Sequence, residues 1–482
     1  NTSQPSPLLR LQRTCFVYQF IRSFYQIVKR DFMSIKNIYS NLEKSLDKTI
    51  SDSKYRWRNE SLMDSAMDSI VGAESSRKPY NFVKSTANLE SMQLSTESQN
   101  YGVKEIVRHK FGKHGKLMSS FGCHPDFDDM EEGELRNGYS VTLFMDIIGS
   151  TKLGVIFSPE TVFKIKNDII RCAIETVNSF DGHVHRIMGD AVMAFFRSDV
   201  YKQNGRVADS AIDAINCATF LIQMFKDVVI PKLNELGVDE NLGIRIGIDY
   251  GADEQVVWGK YGYMDSQEVT ATSFFVDVAA KLQQKAPKNS IMIGDSLAKL
   301  LGFDDNQLSV KTKLKGDEVV NVKYITPNYR DASGKPINYK QFVLNNEHYS
   351  KLLPTSEEIG DLQVRASLKV NKDDVSDDEY YPCSRVIKKG MGISFKGYFY
   401  SPVTYLNPRF RFRVVNTGIE ASETENNGNH EEYEDAKYSE GRYFAKHWED
   451  TSYKGLHHMH VSFWDGERLI ANEKCFSVFI NE

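Results

Sequence analysis

The sequence lacks most of the signals that announce a function by themselves. Six cysteines are scattered through 482 residues, Cys15, Cys123, Cys172, Cys217, Cys383 and Cys475, with no CxxC pair. That spacing builds neither a zinc cluster nor a disulfide framework, and the thiols are read as reduced ones in a cytoplasmic protein. Lysine plus arginine (60) fall short of aspartate plus glutamate (65), a formal net charge of -5, so the basic excess expected of a nucleic-acid partner is missing. No apolar run reaches the roughly 20 residues that a membrane span needs. The nearest candidate, Cys15 to Val28, is interrupted by Gln19, Arg22, Ser23 and Gln26, and no small-residue cleavage site follows it. Residues 1–32 precede Met33, the first methionine, and are read as upstream sequence without a function of their own. At 482 residues the chain exceeds what one hydrophobic core normally serves, so two or three domains are expected.

What is present is organised unevenly. Residues 33–136 show a weak helical pattern with scattered Ser and Asn, ending in the acidic run Asp126–Glu134, which reads as a solvated loop. Pattern quality then rises sharply over 137–345. Tyr139–Asp146 reads as a buried strand, and Ser158-Pro159 cap a helix whose Val162, Ile165, Ile169, Ala173 and Val177 share one apolar face. Strands at 183–188 and 191–196 join through Gly189-Asp190, a tight-turn signal. A helix at 206–236, strands at 242–250 and 254–259, a helix at 270–286, a strand at 290–294 and a strand pair near 308–325 complete the set. The order βαββαβ predicts an α+β fold, a ferredoxin-like (palm) sandwich. A linker is expected over 346–387, centred on the charged run 372–379. Aromatic and β-branched alternation then makes 388–482 a separate all-β module.

Two aspartates carry the chemistry. Asp146 ends the first strand and Asp190 sits in the 188–191 turn, so the topology brings both carboxylates to one edge of the sheet. Singly, each is explained as well by turn chemistry. Together they form a hard-oxygen donor set for Mg²⁺ or Mn²⁺, and two such ions suit phosphoryl chemistry. Gly149, without a side chain, lets the backbone after Asp146 approach a phosphate. His183 and His185 share a strand face, but with no third ligand in reach they read as a polar face.

Four segments, Phe144–Thr151, Gly189–Phe196, Arg245–Gly251 and Val276–Lys281, resemble in this order the motifs of class III adenylate and guanylate cyclases. The resemblance covers roughly residues 138–325 and implies a class III cyclase sandwich that works as a homodimer on a nucleoside triphosphate with two divalent ions. It implies that Asp146 and Asp190 hold the metals with help from the Ile147 carbonyl. Asp277 and Lys281 then stand at the positions of the family's transition-state Asn and Arg. Both are departures: lysine keeps the charge but loses the bidentate fork, and aspartate loses an NH₂ donor. A non-catalytic nucleotide-binding homologue therefore stays open. The base-reading positions hold Arg186 and Thr270, which is neither the adenine nor the guanine pair, and Lys313 is the candidate for the triphosphate. A guanidinium offers only donors and matches the adjacent N3 and O2 acceptors of cytosine, so CTP is expected ahead of UTP. An adenylate or guanylate cyclase with altered base readers is the alternative.

The segments Arg413–Ala421 and Trp448–His457 look like the sensor module attached to bacterial defence cyclases. Core plus module resembles the pyrimidine cyclases of Pycsar anti-phage systems. The resemblance implies a cyclic CMP or cyclic UMP messenger, a product-activated effector protein and a phage-derived trigger as partners. Trp448, Glu449, Tyr453 and His457 are aromatic and polar with no nucleophile or metal set among them, so the module is expected to bind a ligand and modulate the core.

Overall fold

The computed structural model describes residues 35–52, 100–113, 121–197, 206–235, 242–263, 266–326, 328–354, 361–374 and 378–481; the upstream segment 1–32 lies outside them. The catalytic half is built on β1 (Ser140–Ile148), α1 (Pro159–Ser179), β2 (Gly182–Met188), β3 (Ala191–Phe196), α2 (Arg206–Met224), β4 (Gly243–Gly251), β5 (Val257–Tyr263), β6 (Ser266–Thr272), α3 (Phe274–Lys285), β7 (Ser290–Gly294), β8 (Leu308–Val310) and β9 (Gln341–Leu344). Seven of these strands form one sheet in the order β2-β3-β1-β4-β7-β9-β8, antiparallel except for the β4–β7 pair. β1 lies inside it, and past Leu143 its side chains alternate. Met145 and Ile147 enter the core while Phe144, Asp146 and Ile148 take the other face.

The α1 helix starts where its sequence says it should: the Ser158 hydroxyl accepts the Thr161 amide at 3.3 Å, and Pro159 takes the first turn. The long helix at 206–236 widens at Phe225–Val229 before resuming at Ile230–Asn234. Pro231 explains the change, since it donates no amide to the helical ladder. The stretch Val207–Asn234 is long and apolar enough to cross a membrane by composition, but 72% of its apolar window is buried inside the fold, where it is the central core helix.

Three expectations change. The helix expected from 270 begins at Phe274, capped by the Ser273 hydroxyl, and Thr270 belongs to β6 in a three-stranded sheet, where it faces Gly259 of β5. The described parts of 33–136, residues 35–52, 100–113 and 121–136, are more ordered than their pattern suggests. Helices at Ile35–Ile38, 40–52 and Val103–Lys110 pack on α1 and α2, placing Ile38, Leu42, Leu46 and Val107 in the main core. The acidic run is anchored, with Phe127 stacked on Trp258 at 4.2 Å and Met130 buried beneath it.

The third change concerns the C-terminal half. Its two five-stranded sheets comprise β10 (Leu362–Lys369), β11 (Asp378–Tyr380), β12 (Val386–Lys388), β13 (Gly392–Tyr400), β14 (Pro408–Val415), β15 (His430–Asp435), β16 (Lys437–Ser439), β17 (Arg442–Asp450), β18 (Gly455–Asp465) and β19 (Arg468–Asn481). The sheet orders are β11-β10-β13-β17-β16 and β12-β19-β18-β14-β15. Strands β10, β11 and β12 thus fall in the stretch expected to be a linker. The charged run there is the connection of the β10–β11 pair, and β10 itself ladders along the whole of β13.

The two halves share a core. Cys383, Leu456 and Phe479 of the β-sandwich belong to the same buried cluster as the catalytic helices. Polar side chains on α2 tie the seam: Asp209 accepts the Val386 amide at 2.7 Å, and Asn216 donates to the Cys383 carbonyl at 2.8 Å while accepting from the Tyr349 hydroxyl.

Candidate active site

The end of β1 and the β2–β3 hairpin make the acidic edge. Asp146 stands opposite Ala191 in the β1–β3 ladder and opposite Arg245 in the β1–β4 ladder. Asp190 is the second residue of the two-residue turn closing β2 on β3, a turn that Gly189 permits with its φ of 65°. The two carboxylates are therefore neighbours at one sheet edge. With side chains 21% and 25% exposed, both are reachable from solvent yet held by the fold.

Each carboxylate uses one oxygen for protein contacts. Asp146 Oδ2 accepts from Arg245 Nη2 at 2.6 Å and from Gln283 Nε2 at 3.1 Å. Asp190 Oδ2 accepts from the Ser150 hydroxyl and pairs with Lys166 Nζ at 3.5 Å. The Oδ1 atoms of both have no protein partner among the described residues. Ile147 lies one residue past the last β1–β3 rung, and Gly149 turns the chain with a φ of 77° so that Ser150 faces Asp190. Two carboxylates with a free oxygen each, beside a backbone carbonyl at the end of a ladder, form a hard-oxygen set that fits a divalent cation.

The position of Gln283 follows from a close approach. A side chain at Gly247 would collide with the backbone of α3 at Ala279 and Gln283, so glycine lets α3 lie directly on β4. That packing turns Gln283 toward Asp146. It also sends Asp277 and Lys281 to the outer side of α3, where Asp277 is exposed. Lys281 Nζ donates to the Tyr329 hydroxyl at 2.7 Å and sits 4.7 Å from that ring's centroid; no ion pair joins it to Asp277 among the described residues. The acidic edge and the Asp277/Lys281 face are therefore separate surfaces of one chain.

Arg186, on β2, is ion-paired to Glu268 on β6, with Arg186 Nε donating to Glu268 Oε2 at 2.6 Å. Glu268 and Thr270 share a face of β6, because Val269 and Ala271 between them are buried on the other. Arg186, Glu268 and Thr270 are thus brought together. Lys313 lies apart, on an exposed two-stranded hairpin of Thr312–Lys315 and Glu318–Asn321. Its neighbour Lys311 is closer in, with Nζ on the Lys285 carbonyl; burial, then Lys285 and Lys313, lower its pKa. His183 and His185 are buried and both hydrogen-bond the Gly122 carbonyl, at 3.0 and 2.8 Å, so they hold the 121–124 segment on the sheet.

Glu268, Arg245 and Gln283 escaped the sequence reading. Arg245 was legible, since Ile244, Ile246 and Ile248 take the core face of β4 and leave 245 beside Asp146. Glu268 was hidden because a helix assigned from 270 removes the strand parity that pairs it with Thr270.

Residues 137–336 match the Adenylate and Guanylate cyclase catalytic domain, and residues 339–481 match the Adenylyl/Guanylyl and SMODS C-terminal sensor domain. A cytidylate cyclase of Escherichia coli is 41% identical over 473 residues, covering 93% of this chain and 100% of that protein. A cytidylate cyclase of Staphylococcus aureus is 36% identical over 384 residues, 78% of this chain and 87% of its own. Among solved structures, the adenylyl cyclase CyaB from P. aeruginosa aligns with 19% identity and a TM-score of 0.34, covering 44% of this chain and 95% of that one.

Proposed function

The chain belongs to the cytidylate cyclase family, a class III cyclase domain joined to a sensor domain, and on that premise we propose that it converts CTP to 3',5'-cyclic CMP and diphosphate. The observation that carries the reaction is the acidic edge, where Asp146 and Asp190 each keep one oxygen free of protein partners. A class III catalytic domain implies divalent-metal use. We assign Asp146, Asp190 and the Ile147 carbonyl as the donors for two ions, Mn²⁺ or Mg²⁺, which when bound supply charge neutralisation at the phosphates and acidify the ribose 3'-hydroxyl. The chain's own residues do the rest. Arg245 and Gln283 orient Asp146, Ser150 and Lys166 orient Asp190, and Gly149 gives the phosphates a backbone without a side chain. Lys281 carries the cation for the transition state, Asp277 the ribose contact and Lys313 the triphosphate contact.

The separation of the acidic edge from the Asp277/Lys281 face supports a composite site shared by two copies. In a head-to-tail homodimer the outer side of α3 from one copy closes the acidic edge of the other. Mixing tests this: Asp146→Ala and Lys281→Ala subunits, each inactive alone, regain turnover together, and failure to complement overturns the composite site.

The base preference rests on Arg186 with Glu268. Cytosine presents a donor at N4 followed by acceptors at N3 and O2. The carboxylate offers an acceptor beside guanidinium donors, which matches that sequence. Uracil places its O4 acceptor where the carboxylate stands, and two acceptors face each other unpaired. Thr270 either donates or accepts and leaves the choice to the pair. We infer that cyclic CMP then acts as a messenger to a separate effector protein in anti-phage defence. Incubating the protein with each of the four nucleoside triphosphates and Mn²⁺ and separating the products is the test: cyclic CMP from CTP in excess of all others is expected, and a purine product or none overturns the reading.

A further inference from the structure

The sensor sandwich does not close at one end. A cavity of about 410 Å³ opens between its two sheets. Its floor is apolar, made by Ile393 and Phe395 of β13, Met459 of β18 and Val478 of β19, all buried. Its polar lining is different in kind and includes the phenol of Tyr453 with Glu449 and His430.

Glycine seats the Tyr453 ring, since a Cβ at Gly428 would lie 2.8 Å from it. Trp448 takes the other face of β17 from Glu449, its indole over Gly392. Glu449 Oε1 accepts from His430 Nε2 at 3.0 Å and from His447 Nε2 at 2.6 Å. Its Oε2 has no protein partner among the described residues, although the side chain is only 17% exposed. The mouth thus holds one fixed aromatic ring and one oriented acceptor. Lys372 is the one lysine in the lining, so a polyphosphate would find no cluster of cations there.

The far side of the same mouth touches the catalytic domain where two glycines meet. The segment 451–455, which carries Tyr453, ends at Gly455, whose Cα would be 3.0 Å from a Cβ at Gly302, the residue that ends the helix Asp295–Leu301. Beside it, Gly418 donates its amide to Asp304 Oδ2 at 3.2 Å. His457 links the two ends, donating Nε2–H to the Tyr453 carbonyl at 2.7 Å and accepting the Thr417 amide at Nδ1, 3.2 Å.

We propose that this cavity is the ligand site of the sensor domain, that it takes an uncharged flat heteroaromatic molecule with N–H donors, a nucleobase or nucleoside, and that its occupancy is passed to the catalytic domain through the Tyr453–Gly455 contact with Gly302. The ring stacks against Tyr453, its N–H edge meets Glu449 Oε2, and the remaining apolar edge covers the floor between the sheets. The binding half stands on the sensor domain alone, and only the transmission half rests on the chain being a cyclase.

The test is isothermal titration of the full chain with the five common nucleosides and their free bases, with the catalytic pocket held by a non-cyclising CTP analogue. At least one ligand is expected to bind. Tyr453→Ala and Glu449→Gln should each weaken it about tenfold or more, and Ser452→Trp, an exposed position at the mouth, should block it sterically without touching the core. Binding that survives all three variants, or no binding by any of the ten compounds, overturns the site. Turnover of CTP with and without the ligand tests transmission: a rate change in wild type that Ser452→Trp abolishes is expected, and an unchanged rate despite binding overturns the coupling. A chain with no cyclase activity under any condition would show its failure in the four-triphosphate assay and leave the titration to be read on its own.

Discussion

Asp146 and Asp190 at the sheet edge differ in every physical respect from Asp209 and Asp213 on α2. The edge pair is about a quarter exposed, and each keeps an oxygen free of the protein. The helix pair is buried: Asp209 receives the Val386 amide, and Asp213 receives Lys113 Nζ at 2.8 Å. Burial pushes Asp209 up to about 7 and Asp213 well above the usual carboxylate range. Strongly shifted carboxyls are a common pointer to active sites. Here they mark the seam that joins N-terminal segment, catalytic core and sensor. The proposed chemistry uses the two carboxylates that remain accessible, and the architecture uses those that are desolvated.

The largest expected effect divides the pairs outright. Asp146→Ala and Asp190→Ala each abolish cyclisation with little change in thermal midpoint, because partly exposed side chains contribute little to the core. Turnover within about tenfold of wild type in either variant breaks the division. Next in size is the reverse case. Lys113 is held inside the fold between Asp181 at 3.0 Å and Asp213. Lys113→Met leaves Asp181 to Arg108 alone and Asp213 without its cation, and costs about 3–5 kcal/mol in denaturant unfolding; a loss under about 1 kcal/mol contradicts a buried structural pair. Smaller again, Glu268→Gln replaces an acceptor-only group by one that also donates, and the CTP-over-UTP ratio of kcat/KM falls by one to two decades, about 1–3 kcal/mol. An unchanged ratio removes Glu268 from base reading.

A last test concerns the pH sense of Asp209. A carboxyl whose folded pKa is raised lets the folded state hold its proton over a range in which the unfolded state has lost it. Its contribution to stability is full below the unfolded value near 4 and falls as pH rises toward about 7. The stability of wild type relative to Asp209→Asn therefore declines across pH 4 to 7 and levels off above. A difference that is flat, or that rises with pH, means Asp209 is ionised throughout. Urea midpoints of the two proteins at four or five pH values decide it.

Local chemistry was legible in the chain and long-range chemistry was not. The β1 strand, the Ser158 cap and the 188–191 turn are encoded within a few residues, and the structure has all three. The N-terminal helix was legible in part: Ile38, Leu42, Leu46 and Ile50 recur every four residues, a stripe obscured by the Ser and Asn among them. Strand β10 was masked by the charged run after it. The seam was not legible at all, because Asp209 and Asn216 satisfy backbone groups 177 and 167 residues away, and nothing around them in sequence marks which polar residues of a helix will be buried. At the candidate site, the placement of Asp146 and Asp190 at one sheet edge was readable from strand ends, while Glu268 required knowing on which side of Ser273 the strand stops.

Strand β19 carries Phe479 into the same cluster as the first helices of the catalytic half. A ribosome making this protein exposes the acidic edge long before that strand emerges. The core then waits, one wall unbuilt, until β19 arrives. A chain cut short of it leaves Phe303 without the ring it packs against, so the half that carries the edge aspartates completes its packing only when the sensor is attached.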